Sequence, residues 1–351
     1  MGKPINVGLI GYGFAGQTFH APVIASVPEL QLAAVVQRSG KTAKERYPWV
    51  QIVRDTGALY ADPSIDLIVV TTPSTDHYSF AKAALLAGKH VVVEKPFTTT
   101  TVEADELIKL AREKGLVLSV FHNRRWDGDF LTLSQIVRQG IVGRLTDAEF
   151  RWERFFPIAN PERWRDGGGT GTGVFYDLGV HFLDQSLSLF GMPRSIKADI
   201  RTLRDGALSD DAFDVTLTYE GGLRLALRSM LLARQPGPRY TLHGTAGSFV
   251  KYGDDPQENA LKAGLTPGTP GWGAEPESNW GTLEAAFGGL HFSGRIQTIP
   301  GNYQDYYRNV AGAIAGTAEL AVKPEDARMA VRLIELGLQS EREQRTVEVT
   351  P

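Results

Sequence analysis

At about 150 residues per domain, a chain of 351 residues divides into roughly two domains. A hydrophobic share of 42% and a charged share of 22% fit a folded soluble protein and exclude disorder, collagen or coiled coil as whole-chain descriptions. A net charge of −3 with no basic block argues against nucleic acid as a partner, and the absence of cysteine excludes disulfides, thiolate zinc sites, iron–sulfur clusters and thiol nucleophiles.

From the start to residue 122, short β-branched runs alternate with helical segments, the pattern of a parallel sheet covered on both faces. The expected strands are Ile5 to Ile10, Gln31 to Gln37, Gln51 to Arg54, Asp66 to Thr71, His90 to Glu94 and Val117 to Phe121. Helices are expected over Tyr78 to Ala87 and Val102 to Lys114, each stopped by a glycine suited to a left-handed cap, Gly88 and Gly115. Six strands make a full dinucleotide-binding domain. Beyond residue 123 the alternating segments lengthen: Leu145 to Phe156, Ser195 to Leu203, Phe213 to Tyr219, Leu223 to Leu232, Arg239 to His243 and Ser248 to Tyr252. Hairpin turns at Glu220-Gly221-Gly222 and at Gly244 to Gly247 join neighbours, and a helix is inserted near 175–190. This reads as an antiparallel or mixed sheet. The Gly- and Pro-rich stretch 254–301 is expected to be one long irregular excursion, and helices near 303–316 and 325–341 close the chain.

No apolar run approaches the ~20 residues that span a bilayer. The N-terminal apolar stretch, broken by Asn6 and Gly8, is too short for a secretory signal. A cytoplasmic protein without a membrane partner is expected.

The first strand runs into Gly11-Tyr12-Gly13-Phe14-Ala15-Gly16, a G-x-G-x-x-G at a strand–helix junction. The first glycine permits the tight turn, the second lets the backbone approach a pyrophosphate, and the third allows close helix–sheet packing. Helix N-terminal amides then face the anion. Where NAD specificity calls for an acid at the end of the second strand, this chain has Gln37-Arg38-Ser39. Arg38 and Ser39 are donors suited to a 2′-phosphate, so NADP is favoured and NAD is the alternative; as a solvated strand-end cation, Arg38 has no such role.

Glu94-Lys95-Pro96 ends the fifth strand at the carboxyl edge, where such sheets bind ligands. Lys95 there can orient a substrate hydroxyl or shuttle its proton, or it is an ordinary surface lysine. Pro96 is a candidate for a cis peptide in a specified turn. Asp177-Leu178-Gly179-Val180-His181 places a carboxylate and an imidazole four residues apart, on one face if the segment is helical. Such a pair serves acid–base catalysis or is merely structural. A third metal ligand is missing, and no metal site is expected. Gly167 to Gly173 lacks the G-K-[ST] of a P-loop and reads as a flexible lead-in to that helix.

The glycine turn, the Glu94-Lys95-Pro96 triplet and the Asp177/His181 pair, in this order and separation, resemble the glucose–fructose oxidoreductase and inositol dehydrogenase family (Gfo/Idh/MocA). The resemblance covers essentially the whole chain. It implies an α/β protein with an N-terminal Rossmann fold over 1–122 and a C-terminal α+β domain over 123–351, built on a large open, mostly antiparallel sheet used for substrate binding and for homodimer or homotetramer formation. It also implies NAD(P)-dependent oxidation of cyclic polyols or sugars. Carried over by motif, Lys95, Asp177 and His181 form the catalytic and substrate-orienting trio. Thr72, Pro73, Ser74, His77 and Glu94 join Gly11, Gly13, Phe14, Ala15, Gly16, Arg38, Ser39 and Lys95 near the cofactor.

Phe19-His20-Ala21-Pro22, Phe121 to Asp127, Tyr176 to Gly179 and Lys251-Tyr252-Gly253 resemble more narrowly the branch with NADP-dependent scyllo-inositol dehydrogenases. In that branch Asn123 sits near the nicotinamide and Trp164-Arg165 near the cofactor or substrate entrance, and scyllo-inositol is the first candidate substrate. The family resemblance extends to regulators that bind dinucleotide without turnover. Lys95, Asp177 and His181 together argue against that alternative.

Overall fold

A computed structural model describes residues 3–162 and 165–350. The N-terminal sheet is wholly parallel. Its strands β1 (Ile5–Ile10), β2 (Leu30–Val36), β3 (Gln51–Val53), β4 (Leu67–Val70), β5 (His90–Val93) and β6 (Leu118–Val120) lie in the order β3-β2-β1-β4-β5-β6. The helices between them are α1 (Ala21–Ile24), α2 (Thr42–Arg46), α3 (Thr56–Ala61), α4 (His77–Leu86) and α5 (Thr101–Lys114). Every side chain of β4 is buried, as continuous apolar strands demand when helices cover both faces of a sheet. In α5, Thr100 and Glu103 cap each other's backbone reciprocally and Gly115 closes the helix at φ 65°, so both ends are set locally. All six expected strands are present.

The C-terminal sheet has nine strands. They are β7 (Leu145–Glu153), β8 (Ser195–Arg201), β9 (Ala212–Thr218), β10 (Arg224–Met230), β11 (Tyr240–Gly244), β12 (Gly247–Lys251), β13 (Gly281–Phe287), β14 (Leu290–Ile296) and β15 (Val347–Glu348), in the order β14-β13-β12-β11-β7-β10-β9-β8-β15. Strands β7 and β10 pair in parallel and the other neighbours are antiparallel. The β9–β10 and β11–β12 hairpins turn where the glycines place them. Inward residues such as Phe150, Val215, Leu217 and Leu227 form one core with Leu133 of α6 (Gly128–Arg138), Phe182 and Leu183 of α7 (Val180–Phe190), and Leu333 and Ile334 near the C-terminus.

The stretch 254–301 is not one irregular excursion. It contains α8 (Gln257–Lys262) and the β13–β14 hairpin, which extends the sheet by two strands. Leu283 and Ala285 turn inward while Thr282 and Glu284 are exposed, a period of two that surrounding glycines and prolines obscured. Gly288 and Gly289, both at positive φ, make its turn.

Two compact units account for the chain. Unit one comprises 1–126, 256–272 and 302–328, and thus includes α8, α9 (Gln304–Ile314) and the start of α10 (Pro324–Glu343). Unit two comprises 127–255, 273–301 and 329–351. Where the sequence draws one boundary, after residue 122, these contacts return the chain to unit one twice.

Candidate functional site

The strand order 3-2-1-4-5-6 reverses direction between β1 and β4, and in sheets of this kind ligands bind beyond the carboxyl ends at that point. Gly11 leaves β1 at φ 95°, with the Thr71 hydroxyl donating to its carbonyl oxygen at 2.7 Å. A Cβ on Gly11 would stand 2.9 Å from the Thr71 carbonyl oxygen, whereas one on Gly13 would meet no atom within 4 Å. Gly11 therefore satisfies the turn, and Gly13 leaves an open backbone face. The chain continues through Phe14 and Ala15 into a π-helical turn, Gly16–His20, that leads into α1.

A cleft of about 610 Å³ opens over this turn, and its walls include Gly11, Gly13, Arg38, Ser39, Thr72 and Pro73 of the expected cofactor residues. An open glycine backbone, helix-turn amides and a cation at the end of β2 fit a dinucleotide phosphate chain. The remaining expected residues of unit one are not among those that line the cleft. Phe14 is exposed, Ser74 opens a short 3-10 turn before α4, and Asn123 is buried at the start of another. His77 is buried at the start of α4, its Nδ1 2.7 Å from the Pro96 carbonyl and its Nε2 3.0 Å from that of Thr72. Burial holds the His77 imidazole below its ordinary pKa.

Sequence reasoning missed Arg54. Its Nη1 donates to the carbonyls of Gln37 at 2.9 Å and Gly40 at 2.8 Å, and the Gln37 side chain accepts from Ala43 N at 3.0 Å. The loop that carries Arg38 and Ser39 is thus braced from both ends, and Arg54 itself lines the cleft. The available signal was a second strand-end cation, at β3, beside the one at β2.

Lys95 follows β5 and is half-buried, and the Lys95–Pro96 peptide is cis. Glu94 does not line the cleft. Its carboxylate turns into the core, where Oε1 meets His20 Nε2 at 2.9 Å and Oε2 accepts the Lys95 backbone N–H at 2.8 Å. Burial pushes the Glu94 carboxyl up, but the hydrogen bond from His20 and the nearby charge of Lys95 outweigh it, and Glu94 is held below the usual carboxylate range.

In unit two the expected helix near 175–190 is present, with its first turn widened to a π turn, Phe175–Gly179, that carries Asp177. His181 is buried in the first turn of α7, its ring 6.2 Å from that of Trp152. Gly179 is needed here, because a Cβ would stand 2.7 Å from the Phe175 ring. Asp210 accepts the Phe175 N–H at 2.7 Å and so fixes the start of the turn. Burial pushes its carboxyl up to about 6. The preceding glycine run is tied down: Gly168 N donates to the Ser209 hydroxyl at 3.0 Å, and Gly173 N donates to the Arg165 carbonyl at 3.0 Å. Arg165 Nε lies 3.3 Å from Asp177 Oδ2, forming an ion pair. Trp164 lies outside the described residues. Lys251 is buried, its ammonium held by the Tyr252 carbonyl at 2.6 Å and Glu275 at 3.1 Å, so the Lys251-Tyr252-Gly253 segment braces the second unit.

Among the described residues no helix is long and apolar enough to cross a membrane, and no group of three His, Asp or Glu is placed to hold a metal ion.

Comparison with known proteins agrees with this arrangement. Residues 5–122 match the GFO/IDH/MocA family model described as "Oxidoreductase family, NAD-binding Rossmann fold", and residues 135–349 match its C-terminal alpha/beta domain. The chain is 44% identical to the uncharacterized oxidoreductase YdgJ of Escherichia coli over 99% of both chains. It is 39% identical to the scyllo-inositol 2-dehydrogenase (NADP(+)) IolW of Bacillus subtilis, over 98% of this chain and 95% of the relative. The solved structure of the oxidoreductase yvaA from Bacillus subtilis superposes with a TM-score of 0.95 at 39% identity, covering 99% of this chain and 98% of that one. With both family models matched across nearly the full length, the chain belongs to the GFO/IDH/MocA family of NAD-binding oxidoreductases.

Proposed function

We propose that this oxidoreductase is an NADP-linked dehydrogenase acting on a CH–OH group, a secondary alcohol of a cyclic polyol or sugar, with scyllo-inositol as the first candidate. The observation that carries the cofactor choice is the cleft wall formed by Arg38 and Ser39 on a loop braced by Arg54, with no acid at the end of β2. The substrate class is supported by the likeness to the Bacillus subtilis scyllo-inositol dehydrogenase and by Lys95, Asp177 and His181.

When bound, the nicotinamide supplies the acceptor for hydride from the carbinol carbon. Arg38 and Ser39 bind the 2′-phosphate, and the Gly13 backbone accommodates the pyrophosphate. Phe14, Ala15, Gly16, Ser74, His77, Asn123 and Arg165 shape the surroundings of the bound cofactor, and Glu94 contributes by holding Lys95. Lys95 and His181 handle the hydroxyl proton, and Asp177 accepts hydrogen bonds from substrate hydroxyls. The protein works in the cytoplasm as a homodimer or homotetramer joined through the C-terminal sheet, without nucleic-acid or membrane partners.

A panel of inositols, aldopyranoses and simple aliphatic alcohols, each offered with NADP and NAD, tests the reading. Cyclic polyols should be oxidised far better than aliphatic alcohols, because a site built to bond hydroxyls rejects ligands that lack them. Tight dinucleotide binding with no turnover of any polyol or sugar would overturn it.

A further inference from the structure

His20 belongs to the Phe19-His20-Ala21-Pro22 segment, which the dinucleotide turn does not use, and Tyr307 belongs to α9. Both converge on Glu94 in the core of unit one. His20 is wholly buried, with Nδ1 2.6 Å from the Tyr307 hydroxyl and Nε2 2.9 Å from Glu94 Oε1. The other Glu94 oxygen takes the Lys95 backbone N–H at 2.8 Å. Phe121 packs against the imidazole with ring centres 4.1 Å apart, and its own ring lies 5.6 Å from that of Tyr307.

Hydrogen-bonding capacity gives this chain a direction. The Glu94 carboxylate can only accept, so it takes the Lys95 N–H and the Nε2–H of His20, and Nδ1 of the neutral ring is left to accept the O–H of Tyr307, whose phenol burial keeps protonated. A buried carboxylate is costly unless it is fully bonded, and an apolar trio could fill the same space without that cost. The polar chain ends on the backbone of the lysine assigned to the chemistry. The π turn Gly16–His20, which ends on His20, is a departure from helix geometry that recurs at functional sites.

We infer that Tyr307, His20 and Glu94 are positioning residues, a buried chain that fixes the backbone at Lys95 and thereby the reach of its ammonium group. This rests on the assignment of Lys95 to proton handling. The chain is not itself catalytic; it acts through Lys95.

The test uses the full chain with His20→Ala, His20→Gln, Tyr307→Phe and Lys95→Met. Glutamine can donate toward Glu94 and accept from Tyr307, so His20→Gln should recover most of what His20→Ala loses. Misplacement of a reacting group by about 1 Å costs on the order of 100-fold, so His20→Ala should lower kcat by ~10- to 100-fold while leaving the dissociation constant for NADP unchanged. Tyr307→Phe removes only a hydroxyl and should lower kcat about fivefold. Hydrogen exchange of the Lys95 amide in the cofactor-free protein should accelerate in His20→Ala and return toward the wild-type rate in His20→Gln. An unimpaired His20→Ala beside an inactive Lys95→Met overturns the inference alone; normal turnover in Lys95→Met overturns the assignment of Lys95 and the inference with it. Should His20→Ala fail to fold, a Tyr307→Phe variant with wild-type kcat and wild-type Lys95 amide exchange is equally decisive against it.

Discussion

Gly16 packs directly against the carbonyl of Gly11, so that any Cβ at position 16 overlaps the Gly11 oxygen. The third glycine of the turn is thus fixed by backbone-to-backbone contact, whereas the second has empty space beside it. Two alanine substitutions should therefore fail in different ways. Gly16→Ala should lose about 1–3 kcal/mol of stability through overpacking and lose cofactor binding as well. Gly13→Ala should keep its thermal midpoint and lose affinity for the dinucleotide selectively. Thermal unfolding alongside cofactor titration distinguishes the two, and equal destabilisation of both variants would contradict this account of the turn.

Arg38 lines the cleft on a loop that Arg54 clamps through the carbonyls of Gln37 and Gly40. Charge-assisted hydrogen bonds contribute about 1.5–3 kcal/mol, which corresponds to a preference for NADP over NAD of roughly 10- to 150-fold. Arg38→Ala should erase most of it. The check is the ratio of dissociation constants for the two cofactors; a wild-type protein that binds NAD as tightly as NADP refutes the cofactor reading.

Removing a positioned acid–base group typically lowers turnover by ~10² to 10⁴. Lys95→Met and His181→Ala should each show losses of that size in steady-state kinetics while still binding NADP. If both retain near-normal turnover, the two residues have structural roles only.

Asp210 gives unit two a pH dependence whose sign follows from its burial. Its carboxyl is pushed up to about 6 in the folded chain from an ordinary 3.8. Between these values the folded state holds the proton more tightly than the unfolded one, so the Asp210 contribution is full below about pH 4 and is lost as pH rises through 6. Asp210→Asn cannot ionise. Its stability relative to wild type should therefore improve by about 2–3 kcal/mol between pH 4 and pH 7, read from denaturant unfolding at both values. Parallel stability curves for the two proteins would show that Asp210 is not ionising against a burial cost.

Much of the fold was legible because the signals were local. The β-branched runs of the first sheet, the capping glycine Gly115 and the turn at Gly221-Gly222 each act within a few residues of themselves. The β13–β14 hairpin escaped because Gly288-Gly289 sits in a stretch already crowded with glycine and proline, where breaker residues outweigh a short alternation such as Leu283 and Ala285. Helices α2 and α3, at five and six residues, are too short to establish a 3.6-residue period. At the candidate site, the glycine turn and Lys95 stood out by motif. His20 stood out only within the Phe19-His20-Ala21-Pro22 segment and without a role, and Arg54 and Asp210 did not stand out, since each takes its meaning from partners distant in sequence: Tyr307, Gln37 and Phe175. Glu94 was visible as part of a triplet, but nothing in the triplet says that its carboxylate turns inward to His20.

The central claim is that a hydride leaves the carbinol carbon of a cyclic polyol for the nicotinamide of NADP. Incubating the protein with NADP and scyllo-inositol deuterated at carbon, while following the reduced-nicotinamide absorbance and the mass of the cofactor, tests it most directly. The account predicts growth of the absorbance together with reduced cofactor carrying the label, and a much weaker signal when NAD replaces NADP. Failure of scyllo-inositol, myo-inositol and common aldopyranoses alike to yield labelled reduced cofactor would contradict it.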